Sequence, residues 1–159
     1  MKKNILFVTV ISILLLAGCA SVPIVSNTES DLAKRFIAPS LDKAGIYIYR
    51  KDTFFGAALK KNVWIDNECI GETARGVYFY HEVDGGKDHT ISTESEFSPN
   101  DLVIYMKSGR LYFVKQFIKL GILIGGAGLE QIDEEIGMQE VFELDMAKKG
   151  ICNGRLHLL

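Results

Sequence analysis

From Gly45 onward, short apolar runs alternate with turn residues along the chain. Ile46 and Ile48 fall on one face of an extended segment, Tyr47 and Tyr49 on the other, because successive strand side chains point to opposite sides. Val63-Trp64-Ile65 and Cys69-Ile70-Gly71 flank Asp66-Asn67-Glu68, the layout of a hairpin. Val77, Phe79, His81 and Val83 share one parity, with Tyr78, Tyr80 and Glu82 opposite. Asp84-Gly85-Gly86-Lys87 is the clearest turn, since its glycines permit positive φ, and Ile91 lies in the returning strand. Ser98 to Asp101 marks another turn, Leu102 to Met106 alternates, and Lys107 to Arg110 turns into Leu111–Ile118. The pattern predicts a mainly β fold, an antiparallel β-sandwich of about seven strands. Long helices are absent from it, which argues against a parallel α/β sheet. Asp133-Glu134-Glu135 ahead of Ile136, Val141 and Leu144 predicts a short C-terminal helix, frayed near Gly137, with Lys148 and Lys149 suiting its end and Gly150 terminating it. An irregular strand is the rival reading.

The first segment has a different pattern. Lys2 and Lys3 precede an unbroken apolar run from Ile5 to Leu16, followed by Ala17, Gly18 and Cys19. The run is shorter than the roughly 20 residues that span a bilayer, and small residues suit a signal peptidase site. Leu16-Ala17-Gly18-Cys19 resembles the lipobox of bacterial prolipoproteins. The resemblance implies cleavage before Cys19, a diacylglyceryl thioether on its sulfur and acylation of the new amino group. One acyl chain holds a protein only marginally, whereas two or three hold it nearly permanently. Ala20 follows the cysteine. In Gram-negative lipoproteins an aspartate there commonly signals inner-membrane retention, so the resemblance implies an outer-membrane anchor facing the periplasm. The outer face of the cytoplasmic membrane is the alternative. An ordinary secreted protein, cut at Ala17-Gly18, is the plainer reading.

The expected organisation is a cleaved signal peptide (1–18), a lipidated tether (19–40) and a β-sandwich domain (41–159). Ser21, Pro23, Ser26 and Asn27 lack periodicity and suit a flexible spacer. Thr28–Phe36 predicts a short helix capped by Thr28 or Ser30 and ended by Pro39 and Ser40. Loss of Lys2 and Lys3 from 18 basic side chains leaves 16 against 20 acidic ones, a formal charge of −4. That argues against nucleic acid as a partner, which requires a clustered basic face, and is a poor composition for holding anionic headgroups by charge.

Gly45 to about Leu144 looks like an uncharacterised family of small bacterial lipoproteins, a domain of unknown function. Within it, Val63-Trp64-Ile65-Asp66 with Ile70-Gly71-Glu72-Thr73, then Val83 to Ile91, is similar to the PEGA-type β-domain pattern. The chain departs from that pattern at Asn67, which replaces a hairpin glycine. It departs again at Asp84-Gly85, which replaces Pro-Gly, with Asp88 inserted before His89. Such domains look like binding or spacer modules of the cell envelope, and the resemblance transfers no catalytic residue.

Few residues carry candidate chemistry. His81 and His89 flank the glycine turn, and as cross-strand neighbours on one face they could begin a metal site. A hydrogen-bonded structural histidine is the better reading, because no HxH or HExxH spacing supplies further ligands. His157 belongs to a C-terminal tail. Cys69 and Cys152 remain after lipidation; an oxidising compartment permits a bridge, and two reduced thiols are the preferred alternative. Gly121-Ile122-Leu123-Ile124-Gly125-Gly126 opens a glycine-rich stretch that matches no phosphate loop. A buried strand with bulges and a tight loop is the favoured reading there. An exposed apolar loop that docks a partner or touches the bilayer is the sharper one. No nucleophile elbow or paired-carboxylate site is evident. The expected protein is a non-enzymatic envelope lipoprotein, a binding or structural accessory module without cofactor. Its contacts would be the membrane through the lipid anchor and another envelope protein, with Tyr47, Tyr49, Tyr78, Tyr80 and the 121–129 loop as contact surfaces. A small-ligand or metal-binding periplasmic domain is the alternative, and a hydrolase ranks last.

Overall fold

The computed structural model describes residues 20–95, 100–121, 125–150 and 152. Its strands are β1 (Lys43–Arg50), β2 (Lys61–Ile65), β3 (Glu68–Thr73), β4 (Val77–Asp84), β5 (Lys87–Thr93), β6 (Asn100–Met106), β7 (Leu111–Lys119), β8 (Gly126–Ile132) and β9 (Asp145–Met146). Two helices, α1 (Asn27–Ala33) and α2 (Glu134–Phe142), complete the elements. One sheet has the order β8-β7-β1-β4-β9 and the other β3-β2-β5-β6. The fold is therefore mainly β, as its alternating pattern predicts, with nine strands among the described residues. The extra two are β8, which forms from the glycine-rich stretch, and the two-residue β9.

The larger sheet is mixed rather than antiparallel. β1 pairs antiparallel with β4 but parallel with β7, and β9 joins β4 parallel. The sandwich is thus built around β1, whose two faces enter two different cores. Ala44, Ile46 and Ile48 face the second sheet and pack with Val63, Ile65, Phe79, Ile91, Met106 and Val114. Tyr47 and Tyr49 face the other way and pack with Tyr78, Phe113, Val141 and Leu144 beneath the helices. Tyr47, Tyr49 and Tyr78 are at most 1% exposed. The expectation that they form a surface contact patch is overturned, because a third layer of helix covers that face. Their hydroxyls are satisfied within that layer, as buried tyrosines require. Tyr47 donates to Ala33 O at 2.6 Å, Tyr49 to Glu140 at 2.5 Å and Tyr78 to Ser30 O at 3.0 Å.

The segment after residue 19 is part of the fold rather than a flexible tether. Val22 packs on the inter-sheet core, Ile24 forms a bridge with Ala147, and the Val25 amide donates to Met146 O at 2.9 Å. Apolar Val22 and Val25, on either side of Pro23-Ile24, have sheet surface to bury, which outweighs the chain entropy of a leash. Ser26 caps α1 by accepting from the Glu29 amide at 3.3 Å. The helix starts earlier than Thr28, and Ser30 is buried against Tyr78 instead of capping. Asp133 caps α2 by accepting from the Glu135 amide at 3.0 Å. The helix runs unbroken through Gly137 and ends at Phe142, before Lys148 and Lys149. Gly137 permits close packing: a Cβ there would fall 2.3 Å from the Phe113 ring.

The Asp66-Asn67 turn has φ of 49° and 67°, the left-handed pair of a tight hairpin, which Asn tolerates well. The Gly85-Gly86 turn is a corner between the sheets and not a hairpin. β4 belongs to the larger sheet and β5 to the smaller. The Gly85 amide donates to Asp42 O and that of Gly86 to Met106 O, both at 2.7 Å. Both open sides of the sandwich are closed. On one side the Ala127 amide donates to Glu94 O at 2.9 Å. On the other, residues 147–150 run from β9 to β3.

Candidate functional site

That closing strap carries the cysteine pair. Cys69 on β3 and Cys152 form a disulfide with Cα atoms 5.8 Å apart, so the preferred reading of two reduced thiols gives way to the bridge. The Ala147 amide donates to Tyr78 O at 2.8 Å and the Gly150 amide to Ile70 O at 3.0 Å. These two bonds carry the tail from one sheet to the other and bring position 152 beside β3. Distant in sequence, the cysteines meet only because the tail follows the sandwich edge.

His81 and His89 are not brought together, since β4 and β5 lie in different sheets. His89 is buried, with Nδ1 2.6 Å from Asp66 Oδ2 and Nε2 2.7 Å from Asp84 O. It locks the Asp66 hairpin to the Asp84 corner. Burial opposes ionisation of Asp66, yet the Thr90 amide and the His89 ring outweigh it and hold the carboxyl below its usual range. Lys149 Nζ lies 2.7 Å from His81 Nδ1, and burial together with that cation lowers the His81 pKa. Among the described residues no group of three His, Cys, Asp or Glu side chains is placed to hold a metal ion.

One end of the sandwich stands apart. Residues 51–60 leave β1 and return to β2 as an ordered loop. The Arg50 side chain, 2% exposed, reaches under it and donates to the carbonyls of Gly56 and Leu59. Burial lowers the pKa of this guanidinium. The Ala57 amide donates to Phe54 O at 3.1 Å and that of Leu59 to Gly56 O at 2.9 Å. Gly56 has φ +75°, and a Cβ there would meet Ile118 at 2.5 Å, so the loop lies directly on β7. The loop's own Phe54 and Phe55 face outward, 93% and 51% exposed. The glycine-rich stretch begins beside it. Gly121 is exposed, Gly125 half-buried against Leu59 and Ile118, and Gly126 buried at the start of β8. Ile122, Leu123 and Ile124 lie outside the described residues, as do Cys19 and the whole 1–18 segment.

A cleft of about 430 Å³ opens at the same end, lined by Ala20, Val22, Asp52, Arg75, Glu143 and Asp145 among others. Arg75 Nε lies 3.2 Å from Asp52 Oδ1. The cleft brings together the Arg75 guanidinium, the carboxylates of Asp52, Glu143 and Asp145 and the Ser21 hydroxyl. The sequence singles out the glycine-rich stretch as a candidate contact but not the Phe54-Phe55 loop. Two adjacent aromatics followed by glycine were the available signal.

Residues 40–127 match the family described as Protein of unknown function (DUF2846). The chain belongs to that family. A protein of Haemophilus influenzae, itself described as uncharacterized, is 50% identical over 134 residues, covering 84% of this chain and 79% of that one. No solved structure matches.

Proposed function

We propose that this chain is a non-enzymatic lipoprotein of the bacterial cell envelope, a binding or structural accessory module facing the periplasm from an outer-membrane anchor. The observation that carries this reading is Leu16-Ala17-Gly18-Cys19 behind Lys2, Lys3 and the apolar run. The Cys69–Cys152 disulfide supports it, because such bridges persist in oxidising compartments. Ala20, rather than an acid, after the cysteine favours the outer membrane. The PEGA-like hairpin at Asp66 and the strand through His89 fit a spacer or binding module. In this chain the histidine locks a turn instead of presenting a ligand. No helix among the described residues is long and apolar enough to cross a membrane.

Membrane fractionation of the wild type and a Cys19→Ser variant tests the reading. The wild type sediments with outer membranes, and the variant loses that association. A wild-type protein recovered in the cytosol, with free thiols at Cys69 and Cys152, contradicts it.

A further inference from the structure

Ala20 locates the end of the molecule that meets lipid. Consecutive Cα atoms lie about 3.8 Å apart, so acyl chains on Cys19 emerge one residue from Ala20. The Ala20 amide donates to Ala57 O at 2.9 Å, within the loop that presents Phe54 and Phe55. Val22 is already packed on the core, so no slack separates the domain from its attachment point. Leu120, 87% exposed, follows Ile118, on which the loop rests.

On the lipid-anchor reading above, we infer that this end is a membrane-docking surface. Phe54, Phe55 and Leu120 enter the headgroup–acyl boundary of the leaflet that holds the Cys19 chains. The domain therefore sits flush on the bilayer instead of swinging from it.

Three features support that occupant over a protein. The exposed apolar groups lie at the attachment point itself. The loop is pre-ordered by Arg50, so aiming the aromatics outward costs little further entropy. The charges bordering it are largely neutralised in pairs: Asp52 with Arg75, Glu72 with Lys60 and Glu140 with Lys51. Glu143 and Asp145 line the cleft behind Arg75. Lys119 can extend its ammonium group to headgroups while its stem covers apolar surface.

The test uses the full lipidated protein in mixed phosphatidylethanolamine–phosphatidylglycerol vesicles, with Phe54→Trp and Lys107→Trp compared against the wild type. Lys107 is exposed at the opposite end of the strands, and the native Trp64 is buried and common to all three. Brominated acyl chains quench the added Phe54→Trp fluorescence about two-fold, as for a side chain about 5–10 Å into the boundary, and leave that of Lys107→Trp unchanged. Equal, weak quenching of both variants while the protein floats with the vesicles overturns the docking inference and leaves the anchor intact. Blue-shifted Phe54→Trp emission without quenching places a second copy of the chain there and also overturns it. Failure of the wild type to float overturns the anchor reading, and this inference with it.

Discussion

The carboxamide nitrogen of Gln116 donates to Thr93 Oγ1 at 2.6 Å, joining the two sheets through their shared core. Thr73 donates to the Gln116 carbonyl oxygen from a third strand, and Thr93 Oγ1 donates onward to Asn62 O at 2.8 Å. Gln116 is 1% exposed, so this polar link lies inside an otherwise apolar layer. Truncation as Gln116→Ala removes both bonds and leaves a cavity, and is expected to cost about 2–4 kcal/mol. Gln116→Leu fills the space. Both threonine hydroxyls retain a backbone carbonyl, Lys61 O for Thr73 and Asn62 O for Thr93, so its cost is expected to be about 1 kcal/mol. Urea unfolding of the two variants checks the order.

Gly137 sits inside α2, where alanine would ordinarily favour the helix by about 1 kcal/mol. Here a Cβ would fall 2.3–2.6 Å from Phe113 Cγ, Cβ and Cδ1. Overpacking of that kind costs about 1–3 kcal/mol. Gly137→Ala is therefore expected to lower the thermal midpoint; a rise would mean that helix and sheet can separate freely.

The bridge between Cys69 and Cys152 closes a separation of 83 residues. In the chain-entropy treatment a loop of this size stabilises by about 4 kcal/mol. Reduction is expected to lower urea resistance by about 2–4 kcal/mol while the strand signature in circular dichroism survives, because the core lies elsewhere. Complete unfolding on reduction would show that the strap supports the whole sandwich.

Acid should weaken the turn corner. Hydrogen bonds from Lys43 and Lys87, at 2.7 and 2.9 Å, hold the Asp84 carboxyl at about 2 instead of its ordinary 3.8. A carboxylate depressed on folding contributes stability above its unfolded value and loses it as pH falls through the folded one. Stability is therefore expected to fall as pH drops from about 4 toward 2. Asp66, also depressed, adds to the decline. In Asp84→Asn that slope is expected to be shallower in pH-dependent thermal scans, and salt is expected to blunt it in the wild type, since Asp84 and both lysines are solvent-exposed.

Much of the strand pattern is legible from alternation. β1, β4 and β6 fall where one-parity apolar positions are legible, β2, β3, β5 and β7 where turn residues bound short segments, and Asp66-Asn67 turns as its residue types require. Whether a face is wet is not legible. Tyr47, Tyr49 and Tyr78 read as an exposed aromatic stripe because a solvated face and one covered by helices share the same period. The parallel β1–β7 pairing is hidden for a related reason: register between strands far apart in sequence depends on the whole chain. The meeting of Cys69 with Cys152 follows from the tail's path and from no local signal. The Phe54-Phe55 loop escaped notice because it lies between periodic segments, where exposure is decided by what Arg50 holds in place.

Everything functional in this account turns on the chemistry of a single sulfur. Intact and peptide mass spectrometry of the protein purified from its native membrane reads it directly. The account predicts a chain that begins at Cys19 and carries a diacylglyceryl thioether and an N-acyl group. A chain that retains Met1, or that carries an unmodified Cys19, would contradict it.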